Sequence, residues 1–223
     1  MKRYLPFVIV AAVALATISS ATLLYRAKRK PALFMSKNGS PAETRTAGDI
    51  HSSGNPNAPV TLEEFGDFQC PPCAMLSEPI NQFEKNYRPN LRVVFHNFPL
   101  AVHAHAREAA LVAEAAGLQG RFWEMHDLLY REQAIWSKAT DVRTLFNSYA
   151  GILNLDVERF KRDMDGEQAS ERVAADQKQG ASLGVQNTPT IFLNNRAVDP
   201  KSLNPDALRA EVEDAVKAKP PSS

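Results

Sequence analysis

The sequence contains very few cysteines: Cys70 and Cys73 are the only two among 223 residues. A bond between side chains only three positions apart cannot hold distant parts of a chain together, which excludes a disulfide-stabilised scaffold. An excess of charge of either sign is also missing, because 26 basic and 25 acidic residues leave a net charge of +1. This balance gives no support to nucleic-acid binding, and we expect none. At 44% hydrophobic residues, the chain is long enough for one domain with a sizeable core.

Long apolar runs are absent except near the N-terminus, where residues 5–24 contain no charged side chain and basic residues flank the run on both sides. About twenty residues of helix cross the ~30 Å hydrocarbon core of a bilayer. We therefore predict that residues 1–30 form a membrane anchor or a signal segment, since Ser19 and Ala21 also offer small residues to a signal peptidase. By the positive-inside rule alone, the larger number of basic residues after the run would keep the following domain in the cytoplasm.

Large apolar residues are scarce in the next part of the chain. Residues 31–58 are rich in Pro, Gly, Ser, Asn and Thr, which is the composition of a linker. We predict a flexible, mostly unstructured linker here and a globular domain over residues 59–219.

Strand and helix patterns alternate at the start of this domain. Strand-like residues at 60–65 are followed by a helical pattern at 74–87 and a second strand candidate at 91–98. Residues 101–183 contain almost nothing strand-like and several helical patterns, after which a short buried strand at 188–193 precedes a final helix. The order predicts an α/β sheet with a helical insertion at about 101–183.

The segment Cys-Pro-Pro-Cys lies between the first strand and the first helix. At a helix N-terminus, the free N–H groups and the helix dipole favour the thiolate of Cys70, and Cys73 is placed one turn further on to resolve a mixed disulfide. Pro71 and Pro72 are tolerated in the first turn, but each removes an N–H that could have bonded the sulfur. No histidine lies between the cysteines, so we expect less stabilisation of the thiolate than in a motif that carries one.

The same two thiols also fit other kinds of site. They could be inert, or bind a soft metal such as Cu(I), or form half of a zinc site. A closed zinc site needs two further ligands, and with no other cysteine these would have to be histidines. His103 and His105 diverge by about 200° on a helix and are expected at the surface of a helix start. A c-type haem site is excluded, because Ala74 and not histidine follows Cys73.

The segment Glu-Phe-Gly-Asp-Phe-Gln-Cys-Pro-Pro-Cys at 64–73 resembles the active-site segment of thioredoxin-fold proteins, and specifically that of the DsbA-like thiol–disulfide oxidoreductases. The similarity continues at 98–100, 119–123 and 184–190, and it covers roughly residues 57–217. The dithiol together with the downstream Thr-Pro-Thr is a specific combination. The resemblance implies a thioredoxin fold with a helical insertion between the second strand and the cis-proline strand.

The resemblance also implies roles for individual residues. Cys70 would be the attacking thiol, Cys73 the resolving thiol, and Pro189 a cis-proline beside them. Substrate is expected to contact Pro71, Pro72 and Thr188.

Glu64 lies six residues before Cys70, where the family often has a buried carboxylate beneath the second cysteine. Strand alternation places it on the same face as Val60 and Leu62, independently of the resemblance. We predict that Glu64 is buried with a raised pKa and exchanges a proton with Cys73. The alternative is a solvated carboxylate at a strand end.

These features predict an enzyme that exchanges disulfides with exported, cysteine-containing proteins and needs no bound cofactor. A membrane or soluble redox partner would reset the dithiol, and the direction, oxidase or reductase, depends on the reduction potential relative to that partner. A dithiol oxidase has little use in a reducing cytoplasm, so we expect a membrane-anchored protein with its catalytic domain in the periplasm or extracytoplasmic space. We expect a monomer, because residues 31–58 are too polar to form the dimerisation domain that related isomerases usually carry.

Overall fold

The computed structural model describes residues 51–218, which contain one five-stranded sheet and the helices packed on it. The predicted anchor or signal segment at 1–30 and the predicted linker up to residue 50 lie outside this range. Between residues 51 and 218, no helix has the length and apolar character needed to cross a membrane.

The sheet begins with three strands and one helix: β1 (Ser52–Gly54), β2 (Val60–Gly66), α1 (Pro71–Asn86) and β3 (Leu91–Asn97). A run of helices follows: α2 (Ala106–Gly117), α3 (Phe122–Arg131), α4 (Gln133–Trp136), α5 (Val142–Ile152), α6 (Val157–Met164) and α7 (Glu167–Ser182). The chain ends in the strands β4 (Thr190–Leu193) and β5 (Arg196–Ala197), a 3-10 turn (Pro200–Ser202) and the helix α8 (Pro205–Ala218).

The strand order is β1-β3-β2-β4-β5, so β2 lies at the centre of the sheet. It pairs in parallel with β3 and antiparallel with β4. The helices α2 to α7 are all inserted between β3 and β4. The predicted α/β thioredoxin fold with a helical insertion before the strand that follows Pro189 is confirmed.

One face of the sheet is covered by α1 and α8. Val60 and Leu62 of β2 are fully buried, in one cluster with Leu76 and Phe83 of α1 and Leu208 of α8. Burying a side chain of this size contributes about 1.5–3 kcal/mol, so this face supplies much of the stability that holds α1 in place. The face of β2 that carries Val60 and Leu62 is therefore buried, as strand alternation predicted.

The opposite face is covered closely by α7. Phe65 of β2 stacks on His96 of β3 with ring centroids 4.6 Å apart. A Cβ added at Gly180 of α7 would lie 2.7 Å from the ring of Phe98, so glycine lets the helix approach the sheet without displacing this ring. The inserted helices also share a core of their own, in which Trp136, buried completely, donates from Nε1 to the carbonyl of Leu129 at 2.7 Å.

A buried polar network joins the insertion to the sheet. Glu114 of α2 is fully buried, and its Oε1 lies 2.7 Å from Nε2 of His51 and accepts from Nδ2 of Asn97 at 2.7 Å. Asp176 of α7 accepts the backbone N–H of Asn97 at 2.8 Å, and Arg172 lies 3.4 Å from the second oxygen of Glu114. Buried carboxylates are tolerated only with such partners, so α2, α7 and β3 are tied in one arrangement.

The predicted linker at 31–58 is wrong at its C-terminal end. Residues Ser52–Gly54 form β1, which pairs antiparallel with β3, and His51 before it is buried. Three small residues carry no strand pattern of their own, so β1 depends on backbone pairing and on the contact of His51 with Glu114. Gly54 has φ 97°, and a Cβ there would lie 2.7 Å from the carbonyl oxygen of Leu91.

Candidate functional site

The two cysteines lie where the central strand β2 gives way to α1. Cys70 is the N-cap of α1, with φ −77° and ψ 119°, and Pro71 and Pro72 occupy the first positions of the helix. Both prolines are exposed, whereas Cys70 has 4% of its surface exposed and Cys73 none. Both cysteines are free thiols. The site is thus a dithiol at a helix N-terminus in which only the first sulfur reaches the surface.

The loop before β4 lies against this dithiol. The Sγ of Cys70 is 3.2 Å from the carbonyl oxygen of Thr188, across 118 positions of sequence. The peptide bond between Thr188 and Pro189 is cis, as the resemblance implied, and Pro189 is buried. Antiparallel pairing of β2 with β4, in which Phe65 faces Thr190, brings the two segments together.

The two thiols differ strongly in acidity. A hydrogen bond from the Cys73 side chain lowers the pKa of Cys70 from 9.0 to about 6 despite partial burial, and the nearby Thr188 acts in the same direction. Burial raises the pKa of Cys73 well above its usual value, and the hydrogen bond to Cys70 and the nearby Glu64 act in the same direction. At neutral pH, Cys70 is the thiolate and Cys73 the thiol.

Glu64 lies beneath the dithiol with 2% of its surface exposed. Burial raises its pKa from 4.5 to about 8, and the charge of Cys70 adds to this effect. Its Oε1 has no hydrogen-bond partner among the described residues. The predicted burial and raised pKa are confirmed, and the alternative of a solvated carboxylate is wrong.

Tyr130 of α3 completes the buried layer below the sulfurs. Its hydroxyl is buried without a hydrogen-bond partner in the described part of the chain, and it would lie 3.0 Å from a Cβ added at Gly66. Because Gly66 has no side chain, the hydroxyl of Tyr130 can lie close to the end of β2. Burial raises the pKa of Tyr130 well above its usual value, and the charges of Cys73 and Glu64 reinforce this.

Two sets of contacts that hold the active-site loop were not predicted from the sequence: those of Gln133 and the pair formed by Asp67 and His103. Gln133 of α4 donates from Nε2 to the carbonyl oxygens of Phe68 at 2.7 Å and Cys70 at 3.0 Å. Asp67 is buried, and its Oδ2 lies 2.7 Å from Nδ1 of His103. His103 lies just before α2, at the helix start as expected, and its side chain is 23% exposed, but it is also paired with a buried carboxylate, which the sequence did not indicate. Nothing in the local sequence around Gln133 or His103 indicated these contacts.

The metal alternative gains no further ligand from the fold. Among residues 51–218, no group of three or more His, Cys, Asp or Glu side chains is arranged to hold a metal ion.

Comparison with known proteins gives the same class of protein as this geometry. The family model described as Thioredoxin (Thioredoxin_4) matches residues 46–214. BdbD from Bacillus subtilis, solved in its oxidised form, superposes with a TM-score of 0.65 over 74% of this chain and 92% of its own, at 25% identity. DsbA2 from Pseudomonas aeruginosa shares the fold, with a TM-score of 0.61 over 79% of this chain and 96% of its own, at 21% identity. The dithiol at a helix N-terminus, the cis-proline loop and the inserted helices define a protein of the thioredoxin fold with a helical insertion. The chain belongs to the Thioredoxin family.

A further relative is a much longer protein. The Na(+)/H(+) antiporter NhaA 1 of Salinispora arenicola is 40% identical over 167 residues, which cover 74% of this chain but 24% of the antiporter. The chain therefore spans about a quarter of the length of this relative.

Proposed function

We propose that this chain exchanges disulfides with exported, cysteine-containing proteins, using Cys70 as the attacking thiol and Cys73 as the resolving thiol. The observation that carries the proposal is the difference between the sulfurs: Cys70 reaches the surface and has a pKa of about 6, whereas Cys73 is buried with a raised pKa. A thiolate at neutral pH is the attacking species in disulfide exchange.

In the reducing direction, the Cys70 thiolate attacks one sulfur of a substrate disulfide, forms a mixed disulfide and releases the other substrate sulfur as a thiolate. Cys73 then loses its proton and attacks Cys70, which forms the Cys70–Cys73 disulfide and releases the second substrate thiolate. Two electrons pass from the dithiol to the substrate. The oxidising direction is the same sequence reversed.

Glu64 serves this exchange as the proton partner of Cys73. With a pKa of about 8 it is mainly protonated at neutral pH, so it can give a proton to Cys73 when that sulfur leaves a disulfide. Its ionised fraction can take the proton of Cys73 when that sulfur attacks. Since Cys73 has no exposed surface, a buried group must perform this transfer.

The surface around Cys70 suits an extended peptide. Thr188 lies against the sulfur, and Pro71 and Pro72 are exposed beside it, so we propose all three as substrate contacts. Exposed apolar side chains occur in α1 itself, at Met75 (54% exposed), and elsewhere on the surface, in the loop after β3 at Val102 (80%) and at the end of α7 at Leu183 (51%). Such residues bind the apolar parts of a substrate or of the redox partner that resets the dithiol.

We place the catalytic domain outside the cytoplasm, tethered by the apolar segment within residues 1–30. The composition of that segment and the little use for a dithiol oxidase in a reducing compartment support this location. A relative named as an Na(+)/H(+) antiporter contains a similar segment within a longer chain, which is consistent with a domain of this kind at a membrane. We propose that the domain acts as a monomer without a bound cofactor.

Trapping the mixed disulfide tests the mechanism. Replacing Cys73 by Ser removes the resolving thiol and keeps the attacking one, so covalent complexes with exported proteins accumulate and disappear on adding dithiothreitol. Cys70→Ser is the matched control and traps almost nothing. Equal trapping by the two variants contradicts the assigned roles. Failure of both, together with copper or zinc retained by the purified protein, supports metal binding instead.

A further inference from the structure

The carboxylate of Asp67 is buried three residues ahead of Cys70. Its Oδ1 accepts the backbone N–H of Gln69 at 2.7 Å, and its Oδ2 accepts the backbone N–H of Leu100 at 2.9 Å. The same Oδ2 lies 2.7 Å from Nδ1 of His103. Because an ionised carboxylate can only accept hydrogen bonds, Nδ1 of His103 is the donor.

The loop between β3 and α2 holds His103 in this place. The backbone N–H of His103 donates to the carbonyl of Leu100 at 3.0 Å, and the backbone N–H of His105 donates to Oε1 of Gln69 at 2.7 Å. The loop is thereby fastened to the segment just before the dithiol, on both sides of His103. The imidazole is directed to Asp67 by this arrangement rather than by a chance surface contact.

Asp67 acts on the sulfur of Cys70. The backbone N–H of Cys70 donates to the carbonyl of Asp67 at 3.0 Å, and the negative charge of the Asp67 side chain raises the pKa of Cys70, against the larger lowering effect of Cys73. A group that compensates this charge makes Cys70 a better thiolate. The Cys-Pro-Pro-Cys segment contains no such group between its cysteines.

We propose that His103 is a positioning residue of the redox site: by donating to Asp67, it fixes the orientation of that carboxylate and compensates part of its charge, so that Cys70 ionises more readily. The inference rests on the proposed role of Cys70 as the attacking thiol.

Other groups act on Cys70 from the elements packed around it, namely Cys73 of α1, Thr188 before β4, Glu64 of β2 and Tyr130 of α3. Replacing His103 leaves all of these in place. A change in the ionisation of Cys70 on replacing His103 therefore reports on Asp67.

The test is a titration of the Cys70 thiolate by its ultraviolet absorbance in the reduced, full-length protein. With His103→Ala, the carboxylate of Asp67 keeps only its two backbone donors, and we expect the pKa of Cys70 to rise by a few tenths of a unit. Asp67→Asn removes the charge and lowers that pKa. Adding His103→Ala to Asp67→Asn should then change the pKa little further, because the two substitutions act through one contact.

Two further variants separate this role from a structural one. His103→Gln keeps an N–H donor and should keep most of the wild-type Cys70 pKa, even if His103→Ala folds poorly. His105→Ala removes an imidazole from the same loop and should leave the pKa unchanged, since only the backbone of His105 is bonded to Gln69. A lower Tm of His103→Ala with an unaltered Cys70 pKa overturns the inference, as do additive effects of the two substitutions. A wild-type Cys70 that ionises near the ordinary thiol value contradicts the proposed function instead.

Discussion

At the scale of single residues, Glu64 links the stability of the protein to pH. Its pKa is about 8 in the folded protein against 4.5 unperturbed, so between these values the native state binds more protons than the unfolded state. Stability is highest below the unfolded pKa and is lost as pH rises towards the folded one. Glu64→Gln removes this loss, and we expect the free energy of unfolding at neutral pH to increase by on the order of 3 kcal/mol. Urea denaturation of the reduced wild type and variant at neutral and mildly acidic pH measures this difference in unfolding free energy.

The same variant should slow disulfide exchange by on the order of tenfold or more, because Gln cannot exchange a proton with Cys73. Glu63→Gln is the matched control, since Glu63 is half-buried, adjacent in β2 and directed to the opposite face. A Glu64→Gln protein with unchanged stability at both pH values would contradict the raised pKa. If Glu64→Gln leaves the stability unchanged but slows exchange, the role of Glu64 in proton transfer is supported and its raised pKa is not.

At the scale of elements, the short helix α4 is the part of the insertion that holds the active-site loop. Gln133 bonds two carbonyls of that loop, including the carbonyl of Cys70 itself. Gln133→Ala should cost about 1–2 kcal/mol of stability, because buried acceptors lose their donor. Gln133→Glu should also raise the pKa of Cys70, since a negative charge replaces the donor to the backbone carbonyl of Cys70.

Thermal unfolding and thiolate titration of both Gln133 variants measure these effects. Gln82→Ala, on the exposed side of α1, is the control and should change neither quantity. If Gln133→Glu leaves the pKa of Cys70 as in the wild type, α4 supports the fold without influencing the chemistry.

At the scale of the whole molecule, the proposed tether decides which proteins the dithiol meets. We expect protease added outside intact spheroplasts to digest the catalytic domain, because the proposed location is the outer side of the membrane. A chain without residues 1–30 serves as the control and should be protected, since it stays in the cytoplasm. Complete protection of the full-length protein would place the dithiol in the reducing compartment and contradict the proposed location.

The sequence by itself determined the parts of this protein that depend on neighbouring residues. The strand, the dithiol and the helix follow one another directly, so Cys70 could be placed at a helix N-terminus without knowledge of the rest of the fold. The burial of Glu64 followed from strand alternation with Val60 and Leu62. Pro189 beside the dithiol came only through family resemblance, because no local pattern joins residues 118 or more positions apart.

Tertiary structure alone decided the environment of the sulfurs. His103 was expected at the surface, yet the loop after β3 places it against Asp67, and Gln133 reaches the carbonyl of Cys70 from a separate helix. The strand β1 exists only because β3 offers it an edge for pairing and Glu114 binds His51. These contacts join residues distant in sequence, and neither periodicity nor propensity encodes such a pairing, since it arises only when the packed helices and sheet bring the side chains together.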